Sequence, residues 1–279
     1  MHIIDAHQHF WRLADRTGHW PPPALAEIHR DFGPEDLLPL LERCRVAGTV
    51  LVQSLPTVAD TEQLLRIADR HDFVRGVVGW VDMKAPDAPA QIARLARHPR
   101  LKGLRPMLQD LGDDRWIAAP SLDAAVGAML EHGLCFDALV LPRHLRALLE
   151  FAQRHPALPI VIDHAAKPVI PRGELTAWRH DLGALAALTQ VHCKLSGLLT
   201  EAGPFPHELR LQPWMEVVYG LFGPQRLIWG SDWPVLRLAG SYEGWLAMAI
   251  RFCEAQPGAD SGTLDAVFGG NARRVYRLG

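Results

Sequence analysis

Eight times along this chain a short apolar, largely β-branched run ends in a polar or glycine-containing tip and gives way to a helical pattern. The runs are Ile3–His7, Thr49–Gln53, Val74–Val81, Leu101–Arg105, Leu134–Val140, Pro159–His164, Val191–Ser196 and Arg226–Asp232. Strands apolar on both faces need cover on both, and crossover helices in a parallel sheet supply it. Glu35 and Asp36 open the first helix, with Leu37, Leu40, Leu41 and Cys44 on one stripe and a close near Gly48. Asp60 and Ser121 are placed to cap later helices, Pro142 to start one, and Gly133 and Gly223 to end others. Eight strand–helix units in about 250 residues is the arithmetic of an α/β fold closed into a (β/α)8 TIM barrel. An open doubly wound sheet would want a glycine-rich phosphate turn after the first strand, where this chain has His7-Gln8-His9-Phe10-Trp11. No linker or low-complexity tract interrupts the pattern, so residues 1–279 read as a single domain.

Composition narrows the function. A formal net charge of -2 gives no electrostatic case for nucleic acid or an anionic membrane. No apolar stretch approaches the roughly 20 residues of a membrane span, and no signal-like segment precedes the first strand. Cys44, Cys135, Cys193 and Cys253 are scattered without paired spacing, which suits buried filler in a reduced, cytoplasmic protein. The stretch from Arg12 to Pro34, rich in Pro, Trp and charge and without helical period, reads as a lid or specificity loop, or as a wrap over the barrel.

A parallel barrel gathers its active groups where strands end. In order those ends offer His7 and His9, Gln53, Trp80 with Asp82, Arg105, Asp137, His164, Ser196 and Asp232. Polar residues at nearly every tip are costly unless they face one wet site. On a strand, Asp5, His7 and His9 share a face, so two imidazoles can hold one metal ion or one carbonyl oxygen between them. Asp5 would then fix a histidine tautomer from behind, while Asp163 faces away. Asp232, with Gly230 below it keeping the axis open, can bind an ion or take a proton from water, although Asp-x-Pro also favours turns. His164 is either part of that set or a hydrogen-bonded core histidine. Arg105 suits a carboxylate or polyhydroxylated substrate, or a structural ion pair with Asp82 or Asp137. Trp11, Trp80 and Trp233 could form a platform for a sugar ring. No Gly-x-Ser-x-Gly elbow or Walker loop is present.

Asp5-Ala6-His7-Gln8-His9-Phe10-Trp11, Lys102-Gly103-Leu104-Arg105-Pro106, Asp163-His164-Ala165-Ala166-Lys167-Pro168, Lys194-Leu195-Ser196-Gly197-Leu198 and Trp229-Gly230-Ser231-Asp232-Trp233-Pro234 together resemble the amidohydrolase superfamily. The likeness extends to the closing Phe268–Tyr276 segment, and within the superfamily it is to the amidohydrolase 2 branch of sugar-acid lactonases and pyrone-dicarboxylate lactonases. The resemblance implies that His7, His9, His164 and Asp232 surround a substrate carbonyl or a single divalent ion such as Zn²⁺, with metal-independent activity an open alternative. It implies that Asp232 is the general base, with His164 beside it in catalysis, on water attacking an aldonolactone such as L-fucono- or L-rhamnonolactone. Arg105, Gln53, Trp80 and Trp11 would then contact this small-molecule lactone. A bridged two-metal site is not expected, because Lys102 comes too early in its strand and the fifth strand does not end in histidine. Three other readings stay open: a metal-dependent decarboxylase of an aromatic acid on the same barrel, a phosphoesterase-like barrel, and a non-catalytic metabolite-binding barrel.

Overall fold

The computed structural model describes residues 1–16, 20–203 and 208–279. Its one sheet has eight strands in sequence order: β1 (Ile3–Gln8), β2 (Val46–Val52), β3 (Val74–Gly79), β4 (Leu101–Leu104), β5 (Cys135–Ala138), β6 (Ile160–Ile162), β7 (Val191–Leu195) and β8 (Leu227–Trp229). All seven neighbouring pairs are parallel. The backbone just past β8 returns to β1, with His9 N–H donating to Trp233 O at 2.7 Å and Asp232 N–H to His7 O at 2.8 Å. The expected barrel is therefore present, and closed at the end that matters for chemistry.

Two apolar layers hold it. The larger lies between strands and helices, and includes Phe32, Leu41, Leu64, Ile92, Leu148, Leu182, Val218 and Trp245. A smaller one fills the barrel interior with Ile4, Ala6, Val50, Val52, Val78, Cys135, Val161 and Ile228. Ala272, Val275, Tyr276 and Leu278 join this inner layer, so the C-terminal segment plugs the floor of the barrel. No helix among the described residues is long and apolar enough to cross a membrane.

Local signals were placed less well than the elements. Helix Pro34–Cys44 ends at Arg45, which takes the left-handed conformation (φ 53°), while Gly48 lies inside β2. There a Cβ would meet Arg75 Cγ at 2.6 Å, so close strand packing is what requires glycine. Thr57, not Asp60, caps helix Val58–Arg70 by accepting Asp60 N–H at 3.1 Å, and the Asp60 carboxylate turns back to Ser54 and Leu55 N–H. Ser121 sits in a short 3₁₀ turn and makes no cap for helix Asp123–Glu131.

All strands but β1, which runs one residue past His7, stop short of their expected ends because the backbone there leaves the ladder. His164, Ala165, Ala166 and Lys167 are four consecutive residues at positive φ (52°, 50°, 60° and 49°), and Asp232 has φ 59°. For residues with a Cβ this conformation costs roughly 1–2 kcal/mol each. Strain is thus concentrated at the two strand ends that present His164 and Asp232. In β1 the pairing register shifts between Asp5 and Gln8. Asp5 consequently does not share a face with His7. Ile4 and Ala6 pack inside the barrel, Asp5 meets Ser231 and Tyr242 from the helix layer, and the bulge turns His7 inward.

Candidate active site

Asp232 collects the histidines. Its Oδ1 lies 3.4 Å from His9 Nε2 and 3.8 Å from both His7 Nε2 and His164 Nε2. His7 Nε2 and His9 Nε2 are 3.1 Å apart, and the His7 and His164 rings are 4.4 Å apart centre to centre. All four side chains are buried. Strand ends β1, β6 and β8, far apart in sequence, thus deliver three imidazoles to one carboxylate.

Each ring is oriented from behind through its other nitrogen. His9 Nδ1 faces Val52 O at 2.8 Å, His164 Nδ1 faces Ser196 Oγ at 2.8 Å, and His7 Nδ1 lies 3.3 Å from Asp163 Oδ1 and 3.1 Å from Lys194 Nζ. Gly197, at φ +67°, lets β7 approach His164, since a Cβ there would sit 2.6 Å from Nδ1. Gly230 admits His7 in the same way (2.8 Å to its Cβ), so the space expected to be open below Asp232 is filled by that histidine.

Beneath lies an ionic layer that sequence reasoning missed. Lys194, buried inside the barrel, donates to Asp137 Oδ2 at 2.6 Å and forms an ion pair with Asp163 Oδ1 at 2.9 Å. Tyr276 on the C-terminal plug donates to Asp137 Oδ2 at 2.8 Å. Arg105 pairs with Asp163 Oδ2 at 3.2 Å and donates to the carbonyl oxygen of Gln53, whose amide returns a bond to Arg105 O at 2.6 Å. Asp163, expected to face away, is therefore the hub, and Arg105 finds its acid there rather than in Asp82 or Asp137. Lys102, by contrast, reaches only Arg277 O at the opposite end of the barrel. Inward parity from Val161 to Asp163, and from Ile228 across the register to Lys194, is the signal that could have exposed this layer.

The layer sets protonation. Burial disfavours the Lys194 ammonium, but Asp137 and Asp163 outweigh it and keep the lysine charged. Burial also opposes charge on Asp163, yet Lys194, His7 and Arg105 hold its carboxyl well below the usual range. Desolvation, aided by Lys194, keeps His7 neutral, and burial lowers His164 to about 4 against the pull of Asp232 and Asp163. Asp232 is ionised: burial would raise its carboxyl, but His164, His9 and His7 take it below the ordinary value.

These donors fit a metal ion. His7, His9 and Asp232 present ligand atoms within 4.8 Å of one another. Separations of 3.1–3.8 Å bracket the ~3.4 Å between ligands bound at about 2.1 Å to a tetrahedral zinc. Val52 O can only accept, so His9 Nδ1 donates to it, which leaves Nε2 as the nitrogen turned toward the Asp232 carboxylate and available to an ion. His7, Asp163 and His164 form a second possible group, but Lys194 and Arg105 already neutralise Asp163.

Above this centre opens a cavity of about 750 Å³, with His9, Arg105, His164 and Asp232 on its floor and Trp20 and Trp80 in its walls. Of the residues expected to touch substrate, Arg105 and Trp80 line it, while Gln53 and Trp11 do not. Gln53 is fully buried as the brace of Arg105. Trp11 donates to Arg30 O and packs edge-on behind Trp20, and Trp233 packs on Phe10 and Phe32. The Arg12–Pro34 stretch contributes Trp20, pinned by Arg16, which donates to Trp20 O and Ser54 Oγ. Thr17, Gly18 and His19 of that stretch lie outside the described residues.

Known proteins resemble the chain over nearly its whole length. The chain is 59% identical over 278 residues to an L-fucono-1,5-lactonase of Burkholderia ambifaria, covering 99% of this chain and 95% of that one. It is 35% identical to an L-fucono-1,5-lactonase of Burkholderia multivorans, covering 99% and 96%. A crystal structure of an amidohydrolase from Burkholderia multivorans with bound zinc superposes with a TM-score of 0.93 at 34% identity, covering 100% of both chains. The amidohydrolase family model matches residues 4–278, and the chain belongs to that family.

Proposed function

We propose that this protein is a cytoplasmic hydrolase that opens 1,5-lactones of six-carbon sugar acids, with L-fucono-1,5-lactone as the first substrate to test. The observation that carries the reading is the convergence of three imidazole nitrogens on the Asp232 carboxylate at the floor of the cavity. Relatives named for this activity match nearly the whole chain.

In the proposed reaction a water held by ionised Asp232 attacks the lactone carbonyl, and Asp232 accepts its proton. The ring C–O bond breaks, and the leaving oxygen takes that proton back. His7, His9, His164 and Asp232 would hold one divalent ion, zinc in this reading, which when bound supplies Lewis-acid polarisation of the carbonyl. Without the ion, His164 can polarise the same oxygen in its place, because Nδ1 can accept from Ser196 Oγ and leave the proton on Nε2. Trp20 and Trp80 offer faces for the sugar ring, and Arg105 closes the floor.

Charge argues for a neutral substrate. Among the described residues lining the cavity, Arg105 is paired with Asp163 and Lys167 with Glu201 (3.1 Å), leaving no side-chain cation spare for a substrate carboxylate. An aromatic acid, the substrate class of the decarboxylase alternative, would have the ion alone to pair with. The test is a pH-indicator assay over an aldonolactone panel beside a carbon dioxide assay over aromatic acids. Acid release from 1,5-lactones is expected; carbon dioxide release without lactone turnover would overturn the reading.

A further inference from the structure

The cavity is much larger than the proposed substrate. A six-carbon sugar lactone fills on the order of 180 Å³, six water volumes of about 30 Å³ each, against about 750 Å³ available. The surplus is lined unevenly. Loops after β6 and β7 bring His164, Lys167, Thr200 and Glu201, whereas loops after β2, β3 and β4 bring Leu55, Met83, Met107, Leu111 and Trp116.

That apolar wall is built, not loose. Arg143 pairs with Asp114 at 2.7 Å and donates to Gln109 O at 3.2 Å. Arg154 donates to Ala118 O and Ala119 O at 2.9 and 3.2 Å. The Lys84 ammonium lies 4.6 Å from the centre of the Trp116 ring. A wall fixed in advance costs a ligand little ordering, and the methionines let it adapt to shape. Exposed Asp82 and Asp110 also line the cavity and would repel an anionic group.

We propose that the Met83–Met107–Leu111–Trp116 wall is a subsite for an uncharged alkyl or aryl substituent carried by the lactone beyond its ring. The inference rests on the lactonase reading and extends its substrate class; the bond cleaved is the same. The probes are L-galactono-1,5-lactone, which differs from L-fucono-1,5-lactone by a hydroxyl on carbon 6, and its 6-O-pentyl, 6-O-(4-carboxybutyl) and 6-O-glucosyl ethers. Burial of a methylene is worth about fourfold in binding, so two seated methylenes give the pentyl ether a KM about fifteenfold below that of the parent.

The carboxybutyl ether should lose that advantage, and Trp116→Ala should reduce it at least threefold. Met107→Glu, checked like Trp116→Ala by its melting temperature, should do the same, so one misfolded variant does not remove the test. Turnover of the parent with equal or weaker binding of the pentyl ether overturns the subsite and leaves the lactonase reading standing. A glucosyl ether that binds better than the pentyl ether overturns its apolar character. Failure of every lactone, parent included, overturns the lactonase reading and the subsite with it.

Discussion

Asp232 sits where three imidazole nitrogens meet, so its carboxylate is the group whose charge the chemistry should miss most. Asp232→Asn keeps the shape and removes the base. We expect kcat on a 1,5-lactone to fall by roughly 10²–10⁴-fold, the range for a lost general base, and near wild-type turnover would contradict the assigned role. Ser196→Ala tests orientation instead, because it removes the partner of His164 Nδ1. A loss of about 10–100-fold in kcat/KM is expected, with the melting temperature within a few degrees of wild type. His7, His9, His164 and Asp232 were legible as strand-end chemistry. Asp5 was assigned to the wrong face because alternation does not survive the bulge in β1, and Asp163 because its face was counted from His164, which lies past the early end of β6 in a left-handed turn.

Elements carry the strain that aims those residues. The left-handed run from His164 to Lys167 follows β6 directly and is walled in by buried neighbours. Ala165→Val would put a β-branched residue at φ 50° in a site with no free space, so we expect destabilisation of about 2 kcal/mol or more. In a chain of this size that is a melting-temperature drop of roughly 4–8 °C, and an unchanged melt would contradict the strain. On β7, burial lowers His192 to about 4, while in the unfolded chain it titrates near 6.5. The unfolded state then binds the extra proton, so stability is full above pH 6.5 and declines as pH falls toward 4. The decline from this residue is about 3 kcal/mol. His192→Gln should flatten that part of the denaturation-versus-pH curve, and an unchanged curve would refute the account. All eight strands could be read because buried parallel strands are nearly pure apolar runs. The side-chain N-caps could not, because Thr57, Asp60 and Ser121 differ only in where their side chains turn, which tertiary packing decides.

Across the whole molecule, one buried ionic chain ties the barrel together. Tyr276 from the floor plug, Asp137 on β5, Lys194 on β7, Asp163 past β6 and Arg105 past β4 run in sequence up to the histidines. Lys194→Met keeps the volume but leaves buried Asp137 without its cation and Asp163 with Arg105 alone. The expected cost is about 3–5 kcal/mol, read as a melting-temperature fall of about 10 °C; a stable variant would show that the network is dispensable. Nothing in the local pattern around Lys194 announced this role, since a lone lysine in a strand also fits an edge, and only its partners on other strands define it. The central claim, that water held by Asp232 attacks the lactone carbonyl directly, is best tested by a single turnover of L-fucono-1,5-lactone in ¹⁸O-water. One labelled oxygen in the product carboxylate, with none in its hydroxyls and none in Asp232, is the predicted result; label in Asp232 or in a product hydroxyl would contradict it.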